Sequence, residues 1–122
     1  MAPLYKNRPL VRPHAGESDV LALAESLVSS LDATYSRGDL ETLKSVVESY
    51  PDRGVAGAGQ VVASLAGLLD VLMASQRVDK AALTVHVRAW RLVASAQPDP
   101  QERDKLLEGL RLVRELYEVK LA

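Results

Sequence analysis

The sequence contains no cysteine, no phenylalanine and no isoleucine. Without cysteine there is no disulfide framework, no thiolate metal site and no thiol nucleophile. Aromatic residues reach only 4%, as Trp90 and four tyrosines. The core must therefore be assembled from Leu, Val and Ala. That palette suits closely packed helices better than a sheet, which favours aromatic and β-branched residues. An excess of charge of one sign is also missing. The net value is −1, so nothing draws the whole chain toward nucleic acid or an anionic membrane. The first residues lack the long apolar run of a secretory signal. These absences lead to the expectation of a cytoplasmic protein.

What is present fits one domain. A chain of 122 residues with 48% hydrophobic content can bury a core of its own. The charge is unevenly divided. Residues 1–16 hold Lys6, Arg8 and Arg12 and no acid, while the remainder holds twelve basic against sixteen acidic residues. An arm of +3 thus precedes a domain of −4. Pro3, Pro9 and Pro13 fix φ in the arm and bias their neighbours toward extended geometry. The expected organisation is an extended Pro-containing basic arm over 1–16 and a single helical-bundle domain over 17–122. Its fold class is all-α, an antiparallel bundle of four to five helices.

Apolar spacing and breakers predict the helices. Val20, Ala24, Leu27, Leu31 and Tyr35 predict a first helix over 18–36, capped by Ser18 or Asp19 and ended by Arg37-Gly38. Asp39 is expected to cap a short helix to Tyr50, with Leu40, Leu43, Val46 and Val47 inward and Pro51 as its stop. A third helix over 55–75 is apolar on most sides. Its length would just span a bilayer. Asp70, Gln60, Ser64 and the glycines around it point instead to the centre of a bundle. Gly59, Ala63 and Gly67 should let a neighbouring helix approach closely. Asp79 caps a fourth helix to Ala96. Asp99, Pro100 and Glu102 form a capping signature for a fifth, whose expected buried stripe is Leu106, Leu110, Val113, Leu116 and Tyr117. Links of two to five residues make successive helices antiparallel neighbours.

Residues able to carry chemistry are few. His14 stands in the arm and reads as solvated. His86 lies mid-helix. A phosphotransfer bundle of similar size also presents one histidine from a helix, usually followed by Lys three residues on and a small residue next. Ala89 and Trp90 occupy those places here, so a surface or half-buried structural role comes first and a phosphoacceptor role is the alternative. Asp70, Arg88 and Arg91 form a candidate polar cluster if the fourth helix packs on the third. No Glu-x-x-His pair supports a two-metal bundle site. The glycines at 54, 57 and 59 precede a helix, but no strand precedes them, so they read as loop and close packing rather than a dinucleotide cradle. No catalytic residue, cofactor or metal is expected. A nucleic-acid stripe would have to be built from Arg77, Lys80, Arg88, Arg91 and Arg111 with the arm, and the acidic domain disfavours it.

The function expected is non-enzymatic: a protein-binding module acting as regulator, adaptor or small chaperone. Its partner is another protein, with a homodimer as one form and no membrane. Leu4, Tyr5 and Leu10 in the arm, Val85 and Leu92 on the fourth helix, and Leu107 and Leu112 on the fifth lie off the main stripes. They are the expected partner contacts.

Overall fold

A computed structural model describes residues 17–32, 34–51 and 55–121. The arm, with Leu4, Tyr5, Leu10 and His14, lies outside the described residues. The fold is all-α, with five helices and no strand among the described residues. They are α1 (Glu17–Ser30), α2 (Arg37–Glu48), α3 (Ala58–Ser75), α4 (Lys80–Ala96) and α5 (Pro100–Leu121).

The first four helices close a ring. α1 packs on α2, α2 on α3, α3 on α4, and α4 back on α1. α5 lies outside the ring, against α3 and α4. Two contacts fix its direction. A side chain at Gly57 would meet Arg103, and one at Gly67 would meet Arg114. Moving along α3 therefore moves the same way along α5, so the two are parallel, with α4 antiparallel between them in sequence.

α3 is the centre expected from its composition. Val61, Leu65, Leu68, Leu69 and Leu72 are fully buried. Among the described residues it is the one helix long and apolar enough to cross a membrane, yet its leucines pack among α2, α4 and α5, while Ala63, Asp70 and Ala74 are exposed. From the ring, Val20, Leu40, Leu43, Leu83 and Trp90 complete the core. Trp90 meets Tyr50 edge-on, with ring centroids 4.9 Å apart and planes at 86°. A pair of that geometry contributes about 0.5–1.5 kcal/mol beyond its burial. It ties the middle of α4 to the residues after α2.

Four sequence expectations are corrected. α1 ends at Ser30 rather than Ser36. Its end is held by local competitors: the Ser30 hydroxyl donates to the Leu27 carbonyl, and the Asp32 carboxylate accepts from the Thr34 amide. Lys80 then donates to the carbonyls of Ser29 and Leu31, at 2.7 and 3.1 Å, and satisfies groups the helix leaves open. Second, Arg37-Gly38 opens α2 instead of closing α1. Ser36 is the cap, its hydroxyl accepting from the Asp39 amide, so Asp39 sits in the first turn, where it complements the helix dipole. Third, α1 already includes Ser18 and Asp19, which were expected to cap it. Fourth, α3 begins at Ala58, not Val55. Its cap, Gly57, adopts φ 87°, a left-handed conformation that costs an L side chain roughly 1–2 kcal/mol. The caps at Asp79 and Asp99 are as expected: their carboxylates accept from the amides of Ala82 and Glu102, at 3.0 and 2.9 Å.

The small-residue strip of α3 is split. Ala63 is exposed. Gly67 is the notch over which the stem of Arg114 passes, its Cδ 3.3 Å from where a Cβ would stand.

Two substitutions check this account by urea unfolding. Ser36→Ala should cost about 1 kcal/mol, as loss of a helix cap does. Gly57→Ala should cost at least as much, because the added Cβ would lie 2.7 Å from Arg103 Cδ on a backbone already unsuited to it. Shortening Arg103 in the same chain should restore only part of that loss, since it relieves the contact and not the φ.

Candidate functional site

The buried face of α3 carries one hydroxyl, Ser64, among Val61, Leu65 and Leu68. The buried face of α4 carries one imidazole, His86, among Leu83, Val87 and Trp90. They meet between the two helices, with Ser64 Oγ 3.0 Å from His86 Nε2. His86 Nδ1 lies 3.0 Å from the carbonyl of Ala82, one turn back on its own helix. A carbonyl can only accept, so Nδ1 carries the proton and donates. In the neutral ring Nε2 is then the acceptor, and the Ser64 hydroxyl donates to it. Both ring nitrogens are satisfied inside the core, as burial of a polar group requires.

Burial lowers the pKa of His86. The Ala82 carbonyl opposes the shift, and the positive charge of Arg114 adds to it. The ring is fully buried, where a surface or half-buried position was expected. A phosphoacceptor must offer its imidazole to a donor, and this one is closed between helices. The serine–histidine contact resembles a nucleophile and its base. Ser64 is only 7% exposed and His86 0%, so the pair faces packed side chains rather than a substrate.

The candidate polar cluster is not assembled. Asp70 pairs with Lys44 of α2 at 2.5 Å, not with α4. Arg91 reaches Glu25 of α1 through two hydrogen bonds of 3.0 and 2.5 Å. Arg88 is exposed. The spacing of residues along α3 and α4 places their heights but not which flank each side chain takes, and the two ion pairs lie on different sides of the ring. Among the described residues no group of three His, Asp or Glu side chains could hold a metal ion.

The surface offers a different feature. Among the described residues the exposed large hydrophobics are Val85 and Leu92, at 47%, Leu112 at 53% and Leu116 at 54%. All four lie on α4 and α5. An open groove of about 740 Å³ marks where these helices diverge, walled by Leu92 and Ala96 on one side and Leu106 on the other. Pro98, Asp99, Glu102 and Lys105 also line it. The amide of Glu102 lowers the Asp99 carboxyl, while hydrogen bonding to Asp99 raises Glu102. Val85, Leu112 and Leu116 lie beyond that lining, each on the same stripe of its own helix as a lining residue. Val85 stands two turns before Leu92 on the same flank of α4. Glu102, Lys105, Gly109, Leu112 and Leu116 succeed one another at three or four residues along one flank of α5.

Val85, Leu92 and Leu112 are exposed, as their place off the main stripes implied. Leu107 is half-buried against the core instead. Leu116, assigned by its period to the buried stripe, is exposed. α5 leans on the ring from outside and buries a narrower face than an enclosed helix, with Leu110 its fully buried contact. The sequence signal that could have revealed this is the polar content of α5: Glu108, Arg111 and Glu115 link to one another on its outer side.

No protein-family model matches the chain, and no curated protein or solved structure matches it.

The buried histidine generates a pH dependence. Its folded-state pKa lies below the ordinary value of about 6.5, so the unfolded chain binds the proton more readily. Its contribution to stability is complete above about pH 6.5 and declines as pH falls below it, with a slope of up to about 1.4 kcal/mol per pH unit. Urea unfolding between pH 7.5 and 5.5 should show this decline, and His86→Gln should flatten it whatever its own stability.

Proposed function

We propose that the protein is a non-enzymatic interaction module, a regulator, adaptor or small chaperone, that binds another protein through the seam between α4 and α5. The observation that carries this reading is the gathering of Val85, Leu92, Leu112 and Leu116 on these two helices, while the described apolar residues elsewhere are largely enclosed. Each keeps about half of its surface in water, and covering one contributes on the order of 1 kcal/mol. An apolar strip with a polar rim is the usual composition of a protein-binding surface. A cytoplasmic setting agrees with the absence of cysteine.

The nucleic-acid reading has less support. Among the basic residues of the described helices, Arg37, Lys44, Arg91 and Arg111 are engaged by carboxylates. Of the candidate stripe, Arg91 and Arg111 are thus partly neutralised, which weakens its pull on a phosphate backbone.

The test compares the full chain with a Val85→Lys/Leu92→Lys variant in affinity capture from native extract, with light scattering on each. Both sites are exposed, so unfolding temperature should change little. The expected result is a partner retained by the parent and lost by the variant. A second copy of the chain as that partner would register as a dimer in scattering. Equal capture by both proteins would overturn the proposal.

A further inference from the structure

α4 and α5 hold a fixed register. A side chain at Gly57 would meet both Val93 of α4 and Arg103 of α5, so these two residues stand at one height. The two helices are antiparallel. Each residue back along α4 is therefore matched by one forward along α5, at a rise of about 1.5 Å. Arg88 comes to the level of Glu108, Val85 to within a residue of Leu112, and Ala81 to within a residue of Leu116. Leu92 comes to within a residue of Lys105, and both line the groove. All of these side chains are exposed.

We propose that this face docks on the same face of a second copy of the chain, around a two-fold axis parallel to the helices. The proposal rests on the reading of the α4–α5 surface as a docking surface and names its occupant. A two-fold axis in that direction preserves height and lays α4 of one copy on α5 of the other. The four helices then form a bundle in which every neighbour is antiparallel. The contact is isologous, as in most homodimers. Register within one chain becomes register between two, and three matches follow.

The first match is apolar. Val85 meets Leu112 of the second copy, Ala81 meets Leu116, and the symmetry repeats both contacts. Leu92 meets the aliphatic stem of Lys105, whose ammonium stays at the rim beside Glu102, one turn back on its own helix.

The second match is charge. Arg88 stands in the middle of the α4 face, and no carboxylate among the described residues pairs with it. At its level the second copy presents Glu108. That carboxylate already holds Arg111 and has lone pairs left for another cation. At the groove end, Asp99, Glu102 and Lys105 face Ser95 and Ala96 of the second copy, so no like charges are brought together there.

The third match is Gly109. A helix interior disfavours glycine. An added Cβ at Gly109 would meet nothing within 4 Å, so the chain's own packing does not require the notch. Its level falls between Val85 and Arg88 of the second copy. There α4 must approach α5 closely for those two side chains to reach Leu112 and Glu108.

The face measures about 20 Å along the helices and about 20 Å across them. That is the small end of specific interfaces, so the dimer should dissociate on dilution.

The absence of cysteine makes the test direct. One chain carries Val85→Cys and another Leu112→Cys, and the two are mixed and oxidised. The expected product is a disulfide dimer holding one of each, in excess over both symmetric dimers. Ser45→Cys sets the background, since it lies on α2, which touches neither α4 nor α5. Sedimentation velocity of the parent should show a monomer–dimer equilibrium in the micromolar range. Gly109→Gln fills the notch without meeting its own chain, so stability to urea should not fall. The dimer dissociation constant should nevertheless rise about tenfold or more. A parent that stays monomeric up to millimolar concentration would overturn the proposal. So would a mixed disulfide no more abundant than background, an excess of the symmetric disulfides, or a Gly109→Gln dimer as tight as the parent's. The capture experiment separates this outcome from the reading beneath it. A monomeric parent whose partner is lost on Val85→Lys/Leu92→Lys keeps the docking surface and removes the second copy as its occupant.

Discussion

A helix that is apolar on nearly every side must be covered on nearly every side, and α3 imposes that demand on the rest of this fold. Its five fully buried Leu and Val residues point in directions no single neighbour can reach. α2 takes one side and α4 another, and α5 is laid along a third. The ring formed by the first four helices would leave one flank of α3 open to water, and closing that flank is the structural reason for the fifth. With about 25 cal/mol gained per Å² of apolar surface removed from water, the driving force is cumulative rather than local. No large aromatic cluster substitutes for it in a chain without phenylalanine.

The contact between Ser64 and His86 gives that cover its register. Apolar surfaces of Leu and Val can slide by a turn at little cost, but a hydroxyl and an imidazole inside the core must meet each other or remain unsatisfied. One turn of slippage between α3 and α4 would strand both. The ring nitrogen facing Ala82 fixes which way the imidazole points, so the match has a single solution. This is a structural use of a histidine, and it accounts for an ionisable side chain in a core made mostly of Leu, Val and Ala.

Much of the fold was legible from spacing and caps. Asp79 and Asp99 were identifiable because each precedes an apolar period and offers a carboxylate to amides two or three residues on. The link between α1 and α2 was misread. Leu31 and Tyr35 continue the helical period, while the real boundary is set by hydrogen bonds of Ser30 and Asp32 and by Lys80 from across the bundle, which no local window contains. Ser36 and Asp39 are both good caps, and only the path of the chain chooses between them. The surface was half legible for a related reason. Periodicity finds the apolar face of a helix, but the width of that face which becomes buried depends on how many neighbours the helix has. Leu116 falls on the period and stays in water, because α5 has neighbours on one side only. Asp70 found Lys44 rather than Arg88 or Arg91 for the same reason: sequence gives height along an axis and leaves the flank to packing.

The placement of α5 also bears on the groove. The ring of α1 to α4 closes on itself, whereas α5 is bound by its contacts to two helices, one cap at Asp99 and the passage of Arg114 across the Gly67 notch. Its face on α3 is as extensive as any helix–helix contact within the ring. Peeling α5 from the ring would bare Gly67 and the adjacent flank of α3 and remove one wall of the groove. A ligand that bridges α4 to α5 and binds only the folded chain would therefore stabilise the attachment of the last helix.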